Sequence, residues 1–145
     1  MASRAMQLVD ERGVVRLPRV MLAEGLLSRA LGLLLRRPLR EGEGLLLRPC
    51  RGVHTFGMRY AIDVVMLDRH LRVRAVHHAV PPFRVVRGRH STAAVLELPA
   101  GGAGRAGLRV GERLALVEPP DPRLGRALER WMRPEEERPV REEAL

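Results

Sequence analysis

The sequence has 145 residues, a formal net charge of +9 and only 3% aromatic residues. A chain of this length fits one domain with a real hydrophobic core, and the scarcity of rings excludes a surface with many stacking platforms for bases or sugars. The single cysteine excludes an intramolecular disulfide.

The positive charge comes from arginine alone. All 26 basic residues are arginine, and the sequence contains no lysine and no asparagine. A guanine- and cytosine-rich coding sequence produces such a composition. The charge is therefore weak evidence for a polyanionic partner.

The first part of the chain predicts a hairpin followed by a helix. Gln7 to Val9 and Val14 to Leu17 are short apolar segments on either side of the turn-like sequence DERG. Apolar residues, mainly leucine, then recur at helical spacing until Pro38. We predict one amphipathic helix from Ala23 to Leu35.

The middle of the chain changes to the period of two that is typical of β-strands. We predict strands at five places, which are Gly44 to Leu47, Tyr60 to Leu67, Leu71 to Ala79, Thr92 to Leu98 and Arg113 to Val117. Two prolines, Pro81 and Pro82, end the third of these strands.

The C-terminal region predicts a second helix and a tail. Asp121 is a good N-cap and Pro122 suits the first helical position. Apolar residues then share one helical face, and these are Leu124, Ala127, Leu128 and Trp131. We expect this helix to dock on the domain, and residues 133–145 to form a charged, disordered tail.

Together these elements predict a single α+β domain over residues 1–132. Its small antiparallel or mixed β-sheet curls toward a barrel, with one core helix and the C-terminal docking helix. Charged residues, Asp10 to Arg12, stand where the apolar part of a secretory signal would lie, and the longest apolar run is too short to span a bilayer. We therefore expect a soluble cytoplasmic protein with no membrane partner.

Three stretches of the sequence resemble successive blocks of a known family. They are SRALGLLLRRPLREGEGLLL (Ser28 to Leu47), VHTFGMRYAIDVVMLD (Val53 to Asp68) and VLELPAGGAGRAGLRVGERL (Val95 to Leu114). In order and spacing they are similar to the domain of unknown function 192, over residues 8–117. The resemblance implies a small α+β fold with a barrel-like core and implies no activity. Many relatives have a Trp-Met-Lys-Asn-Thr type of segment where this chain has His54 to Met58, so a ligand contact there would differ.

The segment CRGVHTFGMRY raises the question of a metal or thiol site. Cys50 and His54 have a spacing that could chelate a metal, but a complete site needs two further ligands. A nucleophilic Cys–His pair needs an orienting group, for which Asp63 is the candidate. A lone cysteine is more often an inert buried residue, so we expect no metal and no cofactor.

The sequence GAGRAG, Gly102 to Gly107, satisfies the pattern G-x-G-x-x-G literally. A dinucleotide site also needs a crossover helix after the third glycine, and here the next strand follows too soon. We interpret the segment as a glycine-rich turn. Anion binding by loop amides with Arg105, and by Arg59, is left open.

Two carboxylates inside predicted strands support the main functional hypothesis. Asp63 lies in YAIDVVML, where both faces are apolar, and Glu97 lies in AAVLELPAG. A buried carboxylate must be paired or hydrogen-bonded. Either each acid fixes a nearby loop or binds an arginine such as Arg59, or both line a polar pocket with His54 and Thr55.

The preferred functional interpretation is a module that binds a small ligand or a protein partner through a pocket of His54, Thr55, Asp63 and Glu97. The alternative is a small, hydrolase-like enzyme that uses the same residues for acid–base chemistry. A nucleic-acid or phosphate binder comes third and is not favoured. The basic segment PPFRVVRGRH, Pro81 to His90, offers one ring and is assigned to a solvated loop.

Overall fold

The computed structural model describes residues 5–25, 38–121 and 123 of the chain. These residues form nine strands and one short helix. The strands are β1 (Ala5–Asp10), β2 (Val15–Ala23), β3 (Glu43–Leu47), β4 (Gly52–His54), β5 (Ile62–Leu67), β6 (Val73–Val80), β7 (Val85–Arg87), β8 (Ala94–Pro99) and β9 (Leu114–Val117), and the helix is α1 (Gly102–Arg105). No helix within the described residues is long and apolar enough to cross a membrane.

Seven strands form the main sheet, in the order β6-β5-β8-β3-β2-β1-β9. Neighbouring strands are antiparallel except β2 and β3, which are parallel. Strands β4 and β7 form a separate antiparallel pair, called the ribbon below. Within the described residues no ladder joins the edge strands β6 and β9. One bridge between Arg72 and Arg113 connects the two ends of the sheet, which is not a closed barrel.

The prediction of an α+β fold is wrong for the described residues, which are mainly β-structure with α1 as their only helix. The core helix is predicted to begin at Ala23, but Ala23 is the last residue of β2. Residues 19–23 pair with residues 43–47 of β3. This long-range pairing extends the strand through a segment whose leucine spacing also suits a helix. The rest of that helix, the C-terminal helix predicted after Asp121 apart from residue 123, and the tail lie outside the described residues.

The ribbon is not predicted from the sequence. The segment Pro81 to His90, assigned to a solvated loop, contains β7, and β4 lies in a segment for which no strand is predicted. Each of these strands has three residues. A period of two cannot be recognised over such a short length.

The main sheet is buried on both faces around its central strands. Every residue of β5 is buried. Val65 and Leu67 belong to the apolar cluster on one face, while Val64 and Met66 belong to the cluster on the other. The ribbon packs against the second cluster. Since one fully buried aliphatic side chain contributes roughly 1.5–3 kcal/mol, this burial on two faces is the main stabilising term.

Asp63 connects three elements inside this core. Its side chain is completely buried. Oδ1 accepts a hydrogen bond from the Ala79 amide (2.8 Å), and Oδ2 accepts one from the Ala103 amide (2.9 Å). The first bond joins β5 to the end of β6, where Ala79 has a φ of 48°, and the second joins β5 to α1. Two backbone amides thus compensate the buried carboxylate.

We expect Asp63→Asn to lower the free energy of unfolding by about 1–3 kcal/mol. The asparagine amide group cannot accept at both positions, so one buried backbone amide loses its partner while the side-chain volume stays the same. Urea denaturation measures the difference. Glu11→Gln, in an exposed turn, is the control and should leave stability unchanged. An Asp63→Asn variant as stable as that control would contradict this role.

Candidate functional site

A groove with a volume of about 860 Å³ lies beside the ribbon. This volume is in the range of small-molecule sites. Residues of both ribbon strands and of the segments next to them form its lining. Its apolar lining includes Val53, Val85, Val86 and Phe56, and its polar lining includes Arg51, Arg87, Arg89, His54 and His90. We call this cavity the ribbon groove.

The pairing of the ribbon decides which side chains face solvent. Val53 lies opposite Val86, and His54 lies opposite Val85. Because Val53 and Val86 pack against the main sheet, the alternation of strand residues turns His54 and Val85 outward, and both are exposed. A Cβ atom at Gly52 would lie 2.8 Å from the Val86 carbonyl oxygen. The strands can therefore approach this closely only because Gly52 has no side chain.

The ribbon groove carries uncompensated positive charge. Arg51, Arg87 and Arg89 are exposed, and in the described part of the chain none of their guanidinium groups forms an ion pair or a hydrogen bond. By contrast, Arg74 binds Asp68 at 2.8 Å, from Nη2 to Oδ2. No aspartate or glutamate is among the described residues that line the groove. Such a surface attracts anions.

Three rings form a ridge at one end of the ribbon, called the aromatic ridge below. The ring centroids of His54 and Phe56 are 5.7 Å apart, and those of Phe56 and Phe83 are 6.0 Å apart. Phe56 is 47% exposed and Phe83 is 66% exposed. Large apolar side chains with this exposure, grouped together, are typical of binding surfaces.

Thr55 holds the two turns that carry the ridge. Its side chain is completely buried; its hydroxyl donates to the Pro81 carbonyl (2.7 Å) and accepts from the Arg84 amide (2.9 Å). Its backbone carbonyl accepts from the amides of Met58 and Phe83, each at 3.2 Å. Thr55, predicted to line a pocket, therefore supports the neighbouring rings from inside the protein.

The other predicted pocket residues, His54, Asp63 and Glu97, do not lie together in one pocket. His54 lines the ribbon groove. Asp63 pairs with Leu98, whereas the next residue, Val64, pairs with Glu97. Because successive strand residues point to opposite faces, the two carboxylates lie on opposite sides of the main sheet. The structure thus gives Asp63 and Glu97 separate surroundings instead of a shared site.

Glu97 lies in apolar surroundings. It pairs with Leu45 on one side and Val64 on the other. It is 4% exposed, and its Oε2 atom has no hydrogen-bond partner in the described part of the chain. Burial raises the pKa of Glu97 to about 7. The pKa of Tyr60 is raised too, by burial and by the charge of Glu97.

The remaining candidates lie outside the ribbon groove or are engaged elsewhere. The Cys50 thiol donates to the Gly52 carbonyl at 3.1 Å. Arg105 forms an ion pair with Glu41, from Nε to Oε1 at 3.5 Å. Arg59 is exposed and is not among the groove residues. Within residues 5–25 and 38–121, no three histidine, cysteine, aspartate or glutamate side chains are grouped closely enough to hold a metal ion.

The sequence does not identify Arg51 and Phe56 as candidate site residues, and it places Arg87, Arg89 and His90 in a predicted solvated loop. One signal for them is present in the sequence. Neither of the two segments that form the ribbon, residues 48–62 and 81–96, contains an aspartate or a glutamate. This local absence of acidic residues marks the basic surface better than the net charge does.

The stability of the protein should depend on pH through Glu97. Its pKa is about 7 in the folded protein against an ordinary value of 4.5, so the folded state retains a proton that the unfolded state has lost. The free energy of unfolding should therefore fall as the pH rises from about 4.5 to about 7, and this group contributes up to about 3 kcal/mol.

Glu97→Gln should thus be more stable than the wild type at about pH 8 and should lose most of that advantage at about pH 5. Urea denaturation at the two pH values measures both differences. An advantage of equal size at both values would show that Glu97 does not titrate in this range.

The chain is similar to one known protein family and to several solved structures. The model of the DUF192 family, described as "Uncharacterized ACR, COG1430", matches residues 8–116. A search of the curated proteins gives no significant match. A solved structure of a protein of unknown function from Novosphingobium aromaticivorans DSM 12444 is similar, with 23% identity, a TM-score of 0.64 and coverage of 77% of this chain and 83% of that chain.

A second solved structure, from Sinorhizobium meliloti 1021, is described as a "putative transcription regulator". It has 27% identity and a TM-score of 0.67, with coverage of 79% of this chain and 94% of that chain. The resemblance drawn from the three sequence blocks is confirmed, because the family match covers most of the sequence. The chain belongs to the DUF192 family of uncharacterised proteins.

Proposed function

We propose that this protein is a binding module whose ribbon groove takes an anionic ligand with an apolar part. One observation supports this proposal above the others. Three exposed arginines with no partner in the described residues, Arg51, Arg87 and Arg89, surround an apolar cavity that has no acidic lining residue there. A cytoplasmic location stays part of the proposal, since a chain with one cysteine forms no intramolecular disulfide and does not need an oxidising compartment.

The charged and the apolar side chains of the lining suit the charged and the apolar part of one ligand. A guanidinium group binds carboxylate or phosphate oxygens through two parallel hydrogen bonds. The exposed side chains of Val85 and Phe56 offer an apolar surface beside these charges. Burying a ligand's apolar part there would contribute roughly 25 cal/mol per Å², and would exclude water from the ion pairs.

An acid–base enzyme is less well supported. General acid–base catalysis needs two titratable groups that reach the same substrate. Both oxygens of Asp63 are occupied by backbone amides, and Glu97 lies on the other face of the sheet. The description of the Sinorhizobium meliloti structure as a regulator also fits a binding role better than a catalytic one.

Fluorescence titration with anilinonaphthalene sulfonate, an anionic aromatic probe, tests the proposal. Arg87→Ala and Arg89→Ala should each weaken binding by about tenfold, because each removes a charge-assisted hydrogen bond of about 1.5 kcal/mol. Arg109→Ala is the matched control, because Arg109 is exposed and lies outside the groove. This variant should bind the probe with the affinity of the wild type.

An uncharged probe, phenylnaphthylamine, separates charge from apolar contact. Its affinity should be the same for the wild type and for the arginine variants. If anionic and uncharged probes respond alike, or if Arg109→Ala weakens binding as much as Arg87→Ala, the ribbon groove is not an anion site.

A further inference from the structure

We infer that the ligand of the ribbon groove is single-stranded nucleic acid, with phosphates on the groove arginines and bases on the aromatic ridge. This inference rests on the proposed function, because it names the class of anion that the groove receives. Three features of the described residues support it: the support of the ridge, the orientation of its rings, and the separation of rings from charges.

The fold holds the ridge out in solvent at an energetic cost. Phe83 is 66% exposed, and its φ of 63° lies in the left-handed region that bulky side chains avoid. Thr55 fixes this conformation from inside, through bonds to the Phe83 amide, the Pro81 carbonyl and the Arg84 amide. Strained backbone supported by a buried polar network is concentrated at functional sites.

The rings of the ridge are exposed and inclined to one another. The planes of His54 and Phe56 are inclined by 40°, and those of Phe56 and Phe83 by 72°. Neither pair is therefore stacked face to face. The sequence contains two phenylalanines, and both are in the ridge. Nucleic-acid bases stack on such rings whatever their sequence.

The rings of the ridge and the groove arginines lie at opposite ends of the ribbon. The pair of His54 and Val85 is next to the ridge, and the pair of Gly52 and Arg87 is at the other end. Beyond that end, the Gly88 amide donates to the Arg51 carbonyl at 2.7 Å. Two strand steps separate the ends by about 7 Å. A nucleotide presents a charged phosphate and a flat base at a separation of this order.

The shape of the site favours a single strand over other polyanions. The arginines line a cavity, which a flexible strand can enter and a flat bilayer surface cannot. A duplex keeps its bases paired and stacked, so it offers no free base face to the ridge. A single strand supplies both the phosphates and the unstacked bases that the surface needs.

Fluorescence anisotropy with a labelled ten-nucleotide oligothymidylate tests the inference. An abasic strand of the same length is the matched ligand, since it has the same phosphates and no bases. We expect the oligothymidylate to bind at least about fivefold more tightly, because stacking on even one ring contributes that much. With three arginines on phosphates, the slope of log affinity against log salt should be about −2.

Variants divide the binding into its two parts. Phe56→Ala and Phe83→Ala should each weaken oligothymidylate binding about fivefold or more and leave abasic binding unchanged. Arg87→Ala should weaken the binding of both the oligothymidylate and the abasic strand. Val110→Ala is the control for loss of an exposed apolar side chain, since Val110 is 65% exposed and lies outside the groove; it should change neither.

The outcomes separate this inference from the proposed function. Equal affinity for the two strands, or phenylalanine variants without effect, would overturn the inference and leave an anion site. Tighter binding to duplex of the same length, or to phosphatidylserine vesicles in a Phe83-dependent manner, would also overturn it. An Arg87→Ala variant that binds the anionic naphthalene probe like the wild type would instead overturn the proposed function.

Discussion

The second face of the main sheet has to be covered, and the ribbon covers part of it. Strand β5 is buried along its whole length, so apolar side chains project from both of its faces and each face needs a packing partner. The ribbon supplies Val53 and Val86 to the second cluster. Once these side chains point inward, strand alternation sends His54 and Val85 outward. The exposed surface of the ribbon is thus a consequence of how the core is closed.

Burial on two faces also explains the contrast between the two strand carboxylates. Asp63 is satisfied by two backbone amides from β6 and α1, so it serves as a charged connector within the core. Glu97 faces aliphatic neighbours, and burial raises its pKa to about 7. One acid is stabilised by hydrogen bonds and the other by keeping a proton. The two carboxylates lie on opposite faces of the sheet and cannot act on one substrate. The exposed surface of the ribbon is therefore the better candidate for a functional site.

On that surface, Thr55 connects the core to the proposed site. It is completely buried and hydrogen-bonded to the turns that carry Phe56 and Phe83. The chain has few aromatic residues, which makes it a poor candidate for base stacking by composition. The fold, however, brings both phenylalanines and His54 together at one end of an arginine-lined groove. The position of a few rings matters more here than their number.

By itself the sequence determined the family and most of the long strands, because three ordered blocks and a period of two over five or more residues are local features. It also determined that Asp63 and Glu97 would be buried, since apolar residues surround both. Only the tertiary structure decided that β2 extends through Ala23, because its partner β3 is distant in the chain. The same holds for the ribbon, whose three-residue strands have no readable period. The two acids lie on opposite faces because of a strand register, which is a long-range property that local spacing cannot specify.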